Sequence, residues 1–330
     1  MKKNILKKIF VKIIKSLGFE IIDQNEFRSP TLNKDLNQQL SSINKSIILP
    51  LGEVNLTRKI SSLLIIFRTN SNIEIWDQNK KRIFEKDKIE YVKRSLNSLI
   101  KAIKNLKENN NSIKIEIKVV DDNSTKENLN VIKDILDKSK ENFEIINHNH
   151  TEHLNIIKEQ KSKDTFSNLS SLLKSFEIGK NNGEDLIYFI EDDYLHFKSS
   201  LEEMIDTYER IASQLNKDLI ICPSDYPYLY SKDENTKIYL GEKYHWRLVS
   251  ESLVTFMTSK SLINKHFKQL EKMGLQWVDP WEKPLHELYK LYPCLSPIPS
   301  LAVHCANINS IFGISPFINI KKLWDENENL

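Results

Sequence analysis

Short unbroken apolar runs alternate along this chain with longer stretches whose apolar residues recur every three or four positions. The first run, Leu63–Phe67, ends at Arg68-Thr69-Asn70. An unbroken run of that length predicts a strand covered on both faces. Residues 87–108 come next, with Ile89, Val92, Leu96, Leu99, Ile100 and Ile103 sharing one helical face. The alternation continues as a strand over Ile113–Val120, a helix over 126–139 with Ser124 or Thr125 as cap, and a strand over Phe143–Ile146. A helix over 165–179, a strand over Leu186–Ile190 and a helix over 199–215 capped by Ser199 or Ser200 complete it. Strands alternating with helices predict parallel βαβ units in a layered domain.

Beyond residue 216 the pattern loosens. Leu219–Cys222, Leu253–Met257 and Ser300–Val303 read as short strands, and residues 259–273 as a helix. Residues 223–247 are rich in tyrosine, proline and charge, and predict loop or edge structure. Pro280, Pro284, Pro293, Pro297 and Pro299 punctuate the segment after that helix.

The amino-terminal stretch, residues 1–20, is separate in kind. It carries Lys2, Lys3, Lys7, Lys8, Lys12 and Lys15, with no acid before Glu20, and places Leu6, Ile9, Phe10, Ile13, Ile14 and Leu17 on one helical face. Lysines interrupt it too often for a bilayer span, and it lacks the features of a secretory signal. Two readings stay open: a helix lying on a membrane surface, or one packed on the domain with solvated lysines. Residues 21–60 read as a polar connector with Pro30, Pro50 and Gly52, becoming ordered near Ile47. Residues 61–198 and 199–330 form two halves of one domain.

Composition narrows the function classes. At 330 residues, 40% hydrophobic and 28% charged, the chain can bury a normal core. A net charge of +3 from 48 basic and 45 acidic residues gives no support for a nucleic-acid partner. Cys222, Cys294 and Cys305 are widely spaced without a C-x-x-C pair, which argues against structural zinc and fits a reduced, cytoplasmic setting. The glycine-rich phosphate loops of P-loop NTPases and Rossmann dehydrogenases are absent, and so is G-x-S-x-G.

The chemistry gathers where apolar strands end in acids. Val119-Val120-Asp121-Asp122-Asn123-Ser124 is one such place, and Ile190-Glu191-Asp192-Asp193 the other. Open α/β sheets bind ligands at the carboxyl ends of their strands. In an extended segment Glu191 and Asp193 share a face, roughly 6.5–7 Å apart, with Asp192 on the other. One carboxylate can bind a hard cation, and another can hold a cation-bound water or a ribose hydroxyl. The plain alternative is an acidic lead-in to the helix near 199. Asp121 or Asp122 can accept a uracil imide N–H or a ribose hydroxyl; the plain alternative is an Asx turn before the helix at 126.

An apolar strand ending at Thr69, then V-V-D-D-N-S, then a strand ending E-D-D resembles the GT-A class of glycosyltransferases, particularly glycosyltransferase family two, over roughly residues 60–200. The resemblance implies a Rossmann-type αβα domain with a mainly parallel central sheet. It places Thr69 and Asp121 or Asp122 at the nucleoside and Glu191 and Asp193 at the metal, with glutamate in the first slot of D-x-D. Asp192 sits between them, on the nucleotide donor. His304, after Ser300–Val303, matches the late histidine that completes the metal site, compatible with Mn²⁺ and less so with Mg²⁺. The plain alternative is a strand-end histidine bonded to backbone.

The resemblance also implies inversion, in which one carboxylate takes the acceptor proton. The family's downstream position falls on Val278-Asp279-Pro280-Trp281-Glu282, so Glu282 or Asp279 could serve, against an ordinary helix start; Glu251 is a third candidate. Arg247 could pair with a phosphate. Tyr226, Tyr228, Tyr230, Tyr244, Trp246, Trp277 and Trp281 suit sugar stacking or simple packing.

The expectation is a metal-dependent enzyme that moves a sugar from a nucleotide diphosphate donor, UDP-linked by the resemblance, to a glycan or lipid-linked acceptor of the cell envelope. Two rivals stay open: a sugar-phosphate nucleotidyltransferase, and a catalytically silent glycan-binding module of an assembly complex.

Overall fold

The computed structural model describes residues 2–19, 44–48, 52–72, 82–158, 162–231, 235–278, 280–305, 315 and 317–330. The chain divides into two compact units, Met1–Leu56 and Thr57–Leu330.

The first unit holds helix α1 (Lys2–Ser16) and the strands β1 (Lys45–Ile48) and β2 (Gly52–Asn55). α1 ends at Gly18, whose φ of 85° lies in the left-handed region that glycine adopts without strain. The apolar residues Leu6, Ile9, Phe10, Ile13 and Leu17 are all exposed, Leu6 at 70%. β1 and β2 pair antiparallel, Lys45 opposite Asn55, within the stretch expected to be a connector.

The second unit is an αβα sandwich. Strand β3 (Ser62–Thr69), helix α2 (Lys88–Asn109), β4 (Lys114–Asp121), α3 (Lys126–Asp137), β5 (Asn142–Asn147), α4 (Lys163–Asn182) and β6 (Leu186–Glu191) alternate as the sequence predicts. The apolar run of β3 is unbroken because both its faces are covered. Leu63, Ile65 and Phe67 pack with residues of α2 and α3 such as Leu96 and Leu136. Leu64 and Ile66 pack on the other side with Leu169 and Phe176 of α4. Each such side chain contributes about 1.5–3 kcal/mol by burial.

After β6 come β7 (Tyr194–His196), α5 (Ser200–Leu215), β8 (Ile220–Ile221), β9 (Ile238–Leu240), β10 (His245–Val249), β11 (Phe256–Ser259), α6 (Lys260–Leu275), α7 (Lys283–Tyr289), β12 (Cys294–Ile298), β13 (Ala302–His304) and α8 (Ile320–Glu326). Nine strands form one sheet in the order β5-β4-β3-β6-β11-β8-β12-β10-β9. β5, β4, β3 and β6 are mutually parallel. β11 opposes both β6 and β8, β12 runs with β8, and β10 opposes both β12 and β9. Only β10 and β11 therefore run against the rest, and the central sheet is mainly parallel. β7 and β13 pair separately as an antiparallel ribbon.

Chain order along the sheet reverses between β3 and β6. From β3 the chain steps outward to β4 and β5, then returns to place β6 on the other side of β3. That is the topological switch point, where the carboxyl ends of an open sheet leave a crevice.

Several boundaries differ from the sequence reading, for local reasons. Thr125 caps α3 by accepting from Asn128 N, while Ser124 Oγ is taken by Ser71 N at 2.9 Å. Ser199 precedes α5 without a side-chain cap bond, and neither serine caps that helix. The strand expected from Leu253 starts at Phe256, where its ladder with Phe189 of β6 begins. β12 is hidden from the sequence by Pro293, Pro297 and Pro299, yet Pro297 sits in its ladder opposite Trp246. Proline removes one ladder donor and so hides a strand that tertiary pairing supplies.

Gly274 in α6 lies against α4. A Cβ there would sit 2.3 Å from Leu173 Cγ and 3.0 Å from the Leu169 carbonyl oxygen. Helix propensity favours alanine by about 1 kcal/mol, while forced overpacking costs about 1–3 kcal/mol. The overpacking term wins, because the backbone carbonyl cannot yield. Gly274→Ala should lower the urea midpoint; a raised midpoint would show that the two helices separate freely.

Candidate functional site

The crevice at the β3–β6 switch point collects the acids singled out in the sequence. β3 and β6 run side by side with Arg68 opposite Glu191, and β4 lies on the other flank with Asp121 opposite Thr69. Register alone thus brings the strand ends Thr69, Asp121 and Glu191 to one edge of the sheet.

Each acid at the end of β6 has a distinct partner. Glu191 Oε1 accepts from Arg68 Nη2 at 2.7 Å. Arg68 is held in turn by Asn168, whose Oδ1 lies 2.5 Å from Nη1, and its guanidinium sits 5.9 Å from the Trp281 ring centroid. Asp192 Oδ2 accepts from the Thr69 hydroxyl at 2.8 Å and from Asn70 N at 3.1 Å, and its Oδ1 faces Lys88 Nζ at 2.5 Å. Asp193 Oδ1 lies 3.3 Å from His304 Nε2. The β7–β13 ribbon makes that meeting: His304 pairs with Tyr194, and Cys305 N donates to the Asp193 carbonyl. The His304 ring stacks on Tyr194 with centroids 4.7 Å apart.

Charge follows this geometry. Burial pushes the Glu191 carboxyl up despite Arg68, with the Asp193 charge adding to the rise. Burial opposes ionisation of Asp193 too, but His304 and Lys88 outweigh it and hold that carboxyl well below the usual range. His304 is lifted above the ordinary imidazole value because Asp193 outweighs its burial.

The second acid pair lies across β3. Asp121 Oδ2 accepts from Ser124 N at 3.1 Å and Asp122 Oδ2 from the Ser167 hydroxyl at 2.5 Å. Asn123 turns the chain with a φ of 71°, which asparagine tolerates. The other oxygens, Asp121 Oδ1 and Asp122 Oδ1, are buried and have no hydrogen-bond partner among the described residues. A buried acceptor without a donor is costly. Burial raises the Asp121 carboxyl, and the neighbouring acids add to it.

For a divalent cation the described residues offer at most an incomplete set of ligands. Among the described residues no three His, Cys, Asp or Glu side chains gather to hold a metal. Asp193 and His304 form a two-member set, paired at 3.3 Å between Oδ1 and Nε2. Carboxylate with imidazole suits Mn²⁺, and phosphate oxygens and water complete such a shell. Glu191, the other expected ligand, is spent on Arg68.

The other candidates lie at varying distances from this crevice. Glu282 is the N-cap of α7, its carbonyl accepting from Leu285 N and His286 N. The adjacent Trp281 faces Arg68, which puts the start of α7 beside the crevice. Asp279 lies outside the described residues. Arg247 is not brought to the acidic triplet: its Nη2 pairs with Asp225 Oδ1 at 2.5 Å, and its guanidinium lies 4.3 Å from the Tyr230 ring centroid. Tyr226 and Trp246 are core residues, while Tyr230 and Trp277 are exposed.

Sequence reasoning missed Arg68, Lys88 and Asp225. Asp225 comes after the apolar run Leu219–Cys222 by the same strand-then-acid rule that flagged the other clusters. Lys88 had one signal: a lysine opening a helix, where acids are favoured.

No family model and no curated protein matches the chain. Among solved structures, a galactosyltransferase, LgtC, in complex with donor and acceptor sugar analogues is 11% identical, over 70% of this chain and 70% of its own, at a TM-score of 0.35. TarS of S. aureus is 13% identical, over 64% of this chain and 34% of its own, at 0.35. A UTP-bound UGPase from Acinetobacter baumannii is 10% identical, over 82% and 92%, at 0.41. Likenesses this distant carry no argument about chemistry.

Thr69→Val keeps the shape of the side chain and removes the hydroxyl that Asp192 accepts. Losing a hydrogen bond to a buried charged group costs about 1.5–3 kcal/mol. Equilibrium urea unfolding should show that loss; an unchanged midpoint would mean that the bond does not hold Asp192.

Proposed function

We propose that this chain is a glycosyltransferase that takes a sugar from a nucleoside diphosphate donor, UDP-linked, and passes it to a glycan or lipid-linked acceptor. One observation carries the reading. Buried carboxylates flank β3 at the switch point: Asp121 and Asp122, whose Oδ1 atoms have no hydrogen-bond donor among the described residues, on one side, and Asp193, ion-paired with His304, on the other. The first pair suits the donors of a nucleoside, and the second a cation-bound diphosphate.

In this reading Asp121 and Asp122 orient the base and ribose, and Thr69 fixes Asp192 between the two ends of the donor. Asp193 and His304 hold a divalent cation, which when bound stabilises charge on the leaving diphosphate. Glu282, beside the crevice through Trp281, takes the acceptor hydroxyl proton, as inversion requires. The nucleotidyltransferase alternative is the weaker one. Its site would use a glycine-rich, basic loop after the first strand, and Arg68-Thr69-Asn70-Ser71-Asn72 contains no glycine.

α1 supports placement of the enzyme on the inner face of a membrane. Its exposed apolar side chains, Leu6, Ile9, Phe10, Ile13 and Leu17, are interleaved with lysines, the composition of an interfacial helix. No helix of the described residues is long and apolar enough to cross a membrane.

Isothermal titration of UDP, GDP and CDP with and without Mn²⁺ tests the donor site. UDP with Mn²⁺ should bind best, Asp193→Ala should weaken it about tenfold or more, and Glu282→Gln should leave it unchanged. Failure of all three nucleotides to bind would remove the reading. For α1, deletion of residues 1–20 should abolish flotation with anionic liposomes; flotation of the shortened protein would reject the membrane role.

A further inference from the structure

Lys88 occupies a position that helix stability does not explain. It is the first residue of α2, where the backbone dipole disfavours a positive charge. Its side chain is only 13% exposed, and removing an ammonium from water is costly. Both costs are met by the acids it faces. Its Nζ lies 2.5 Å from Asp192 Oδ1 and 3.9 Å from Asp193 Oδ2. Their attraction outweighs the effect of burial and keeps the ammonium charged.

The two acids are not equivalent partners. Asp192 has other donors, Thr69 and Asn70 N, and would stay in place without Lys88. Asp193 is held through ion pairs: its Oδ1 lies 3.3 Å from His304 Nε2, and the lysine is too far from its Oδ2 for a hydrogen bond. An ammonium about 4 Å from a cation-holding carboxylate is also within reach of the phosphates which that cation carries. Of the basic groups around the triplet, Arg68 is clamped by Glu191 and Asn168. Lys88 ends a flexible stem and can exchange partners.

We propose that Lys88 is a diphosphate ligand of the donor site, and that it guards Asp193 until the donor arrives. This rests on the donor reading above. With the site free of ligand, the ammonium shares its charge between Asp192 and Asp193 and competes with a divalent cation for Asp193. When a nucleoside diphosphate binds, Lys88 keeps its hold on Asp192 and turns its remaining donors from Asp193 to a phosphate oxygen. Asp193 and His304 are then released to the cation. Metal and nucleotide therefore bind synergistically, and Lys88 provides the coupling.

Three titrations on wild type, Lys88→Met and Lys88→Arg test this: UDP in the presence of Mn²⁺, uridine alone, and Mn²⁺ alone. Lys88→Met should bind UDP about tenfold to a hundredfold more weakly. It should bind uridine as wild type does, and Mn²⁺ alone more tightly than wild type. Lys88→Arg should recover most of the UDP affinity. A residue that merely props up Asp192 would not tighten Mn²⁺ binding, and would weaken uridine and UDP together. Either of those results in Lys88→Met overturns the proposal, and so does wild-type affinity for UDP. Wild type that binds no nucleoside diphosphate would fail the donor reading and this proposal together. Wild type that binds UDP beside an unaltered Lys88→Met would fail this proposal alone.

Discussion

The bond between Thr69 and Asp192 ties the two strands on which the candidate site is built. Parallel neighbours β3 and β6 are joined by backbone ladders up to Arg68 and Glu191. Beyond that point the ladder stops, and side chains must set the spacing. Thr69 and Asn70 on one strand end grip Asp192 on the other, and Arg68 grips Glu191. The third carboxylate, Asp193, is paired instead with His304 of the β7–β13 ribbon. The three adjacent acids are thus not equivalent: each is held by different partners.

Much of this was legible in the chain. The apolar run of β3 is readable because helices cover both faces, so every residue of it is buried. The strand-then-acid rule located Asp121, Asp122 and Glu191–Asp193, because residues at the ends of parallel strands arrive at one edge whatever lies between. The partners were not legible. Arg68 meets Glu191 only through the register of strands more than a hundred residues apart in sequence, and no local pattern encodes register. Lys88 looks like any helix-start lysine until the acids facing it are known. β12, interrupted by Pro297, and β7, three residues long, carry too little periodicity to be read; pairing with neighbours creates them.

Electrostatics and burial act against each other throughout the crevice. Glu191 and Asp193 flank a common neighbour and are similarly enclosed, yet their carboxyls shift in opposite directions. The difference lies in what each one faces. Arg68 offsets only part of the burial cost of Glu191, whereas Asp193 faces both His304 and Lys88. Unequal partners are enough to drive two similarly buried carboxyls apart.

The β7–β13 ribbon has a consequence for how the protein acquires its chemistry. His304 lies far along the chain from Asp193, and this small ribbon unites them. Contacts so distant in sequence carry a loop-closure cost that local contacts escape. During synthesis the sheet around β3, β4 and β6 can be complete while the imidazole is still missing. The strands that carry the acids thus leave the ribosome before the imidazole that pairs with Asp193.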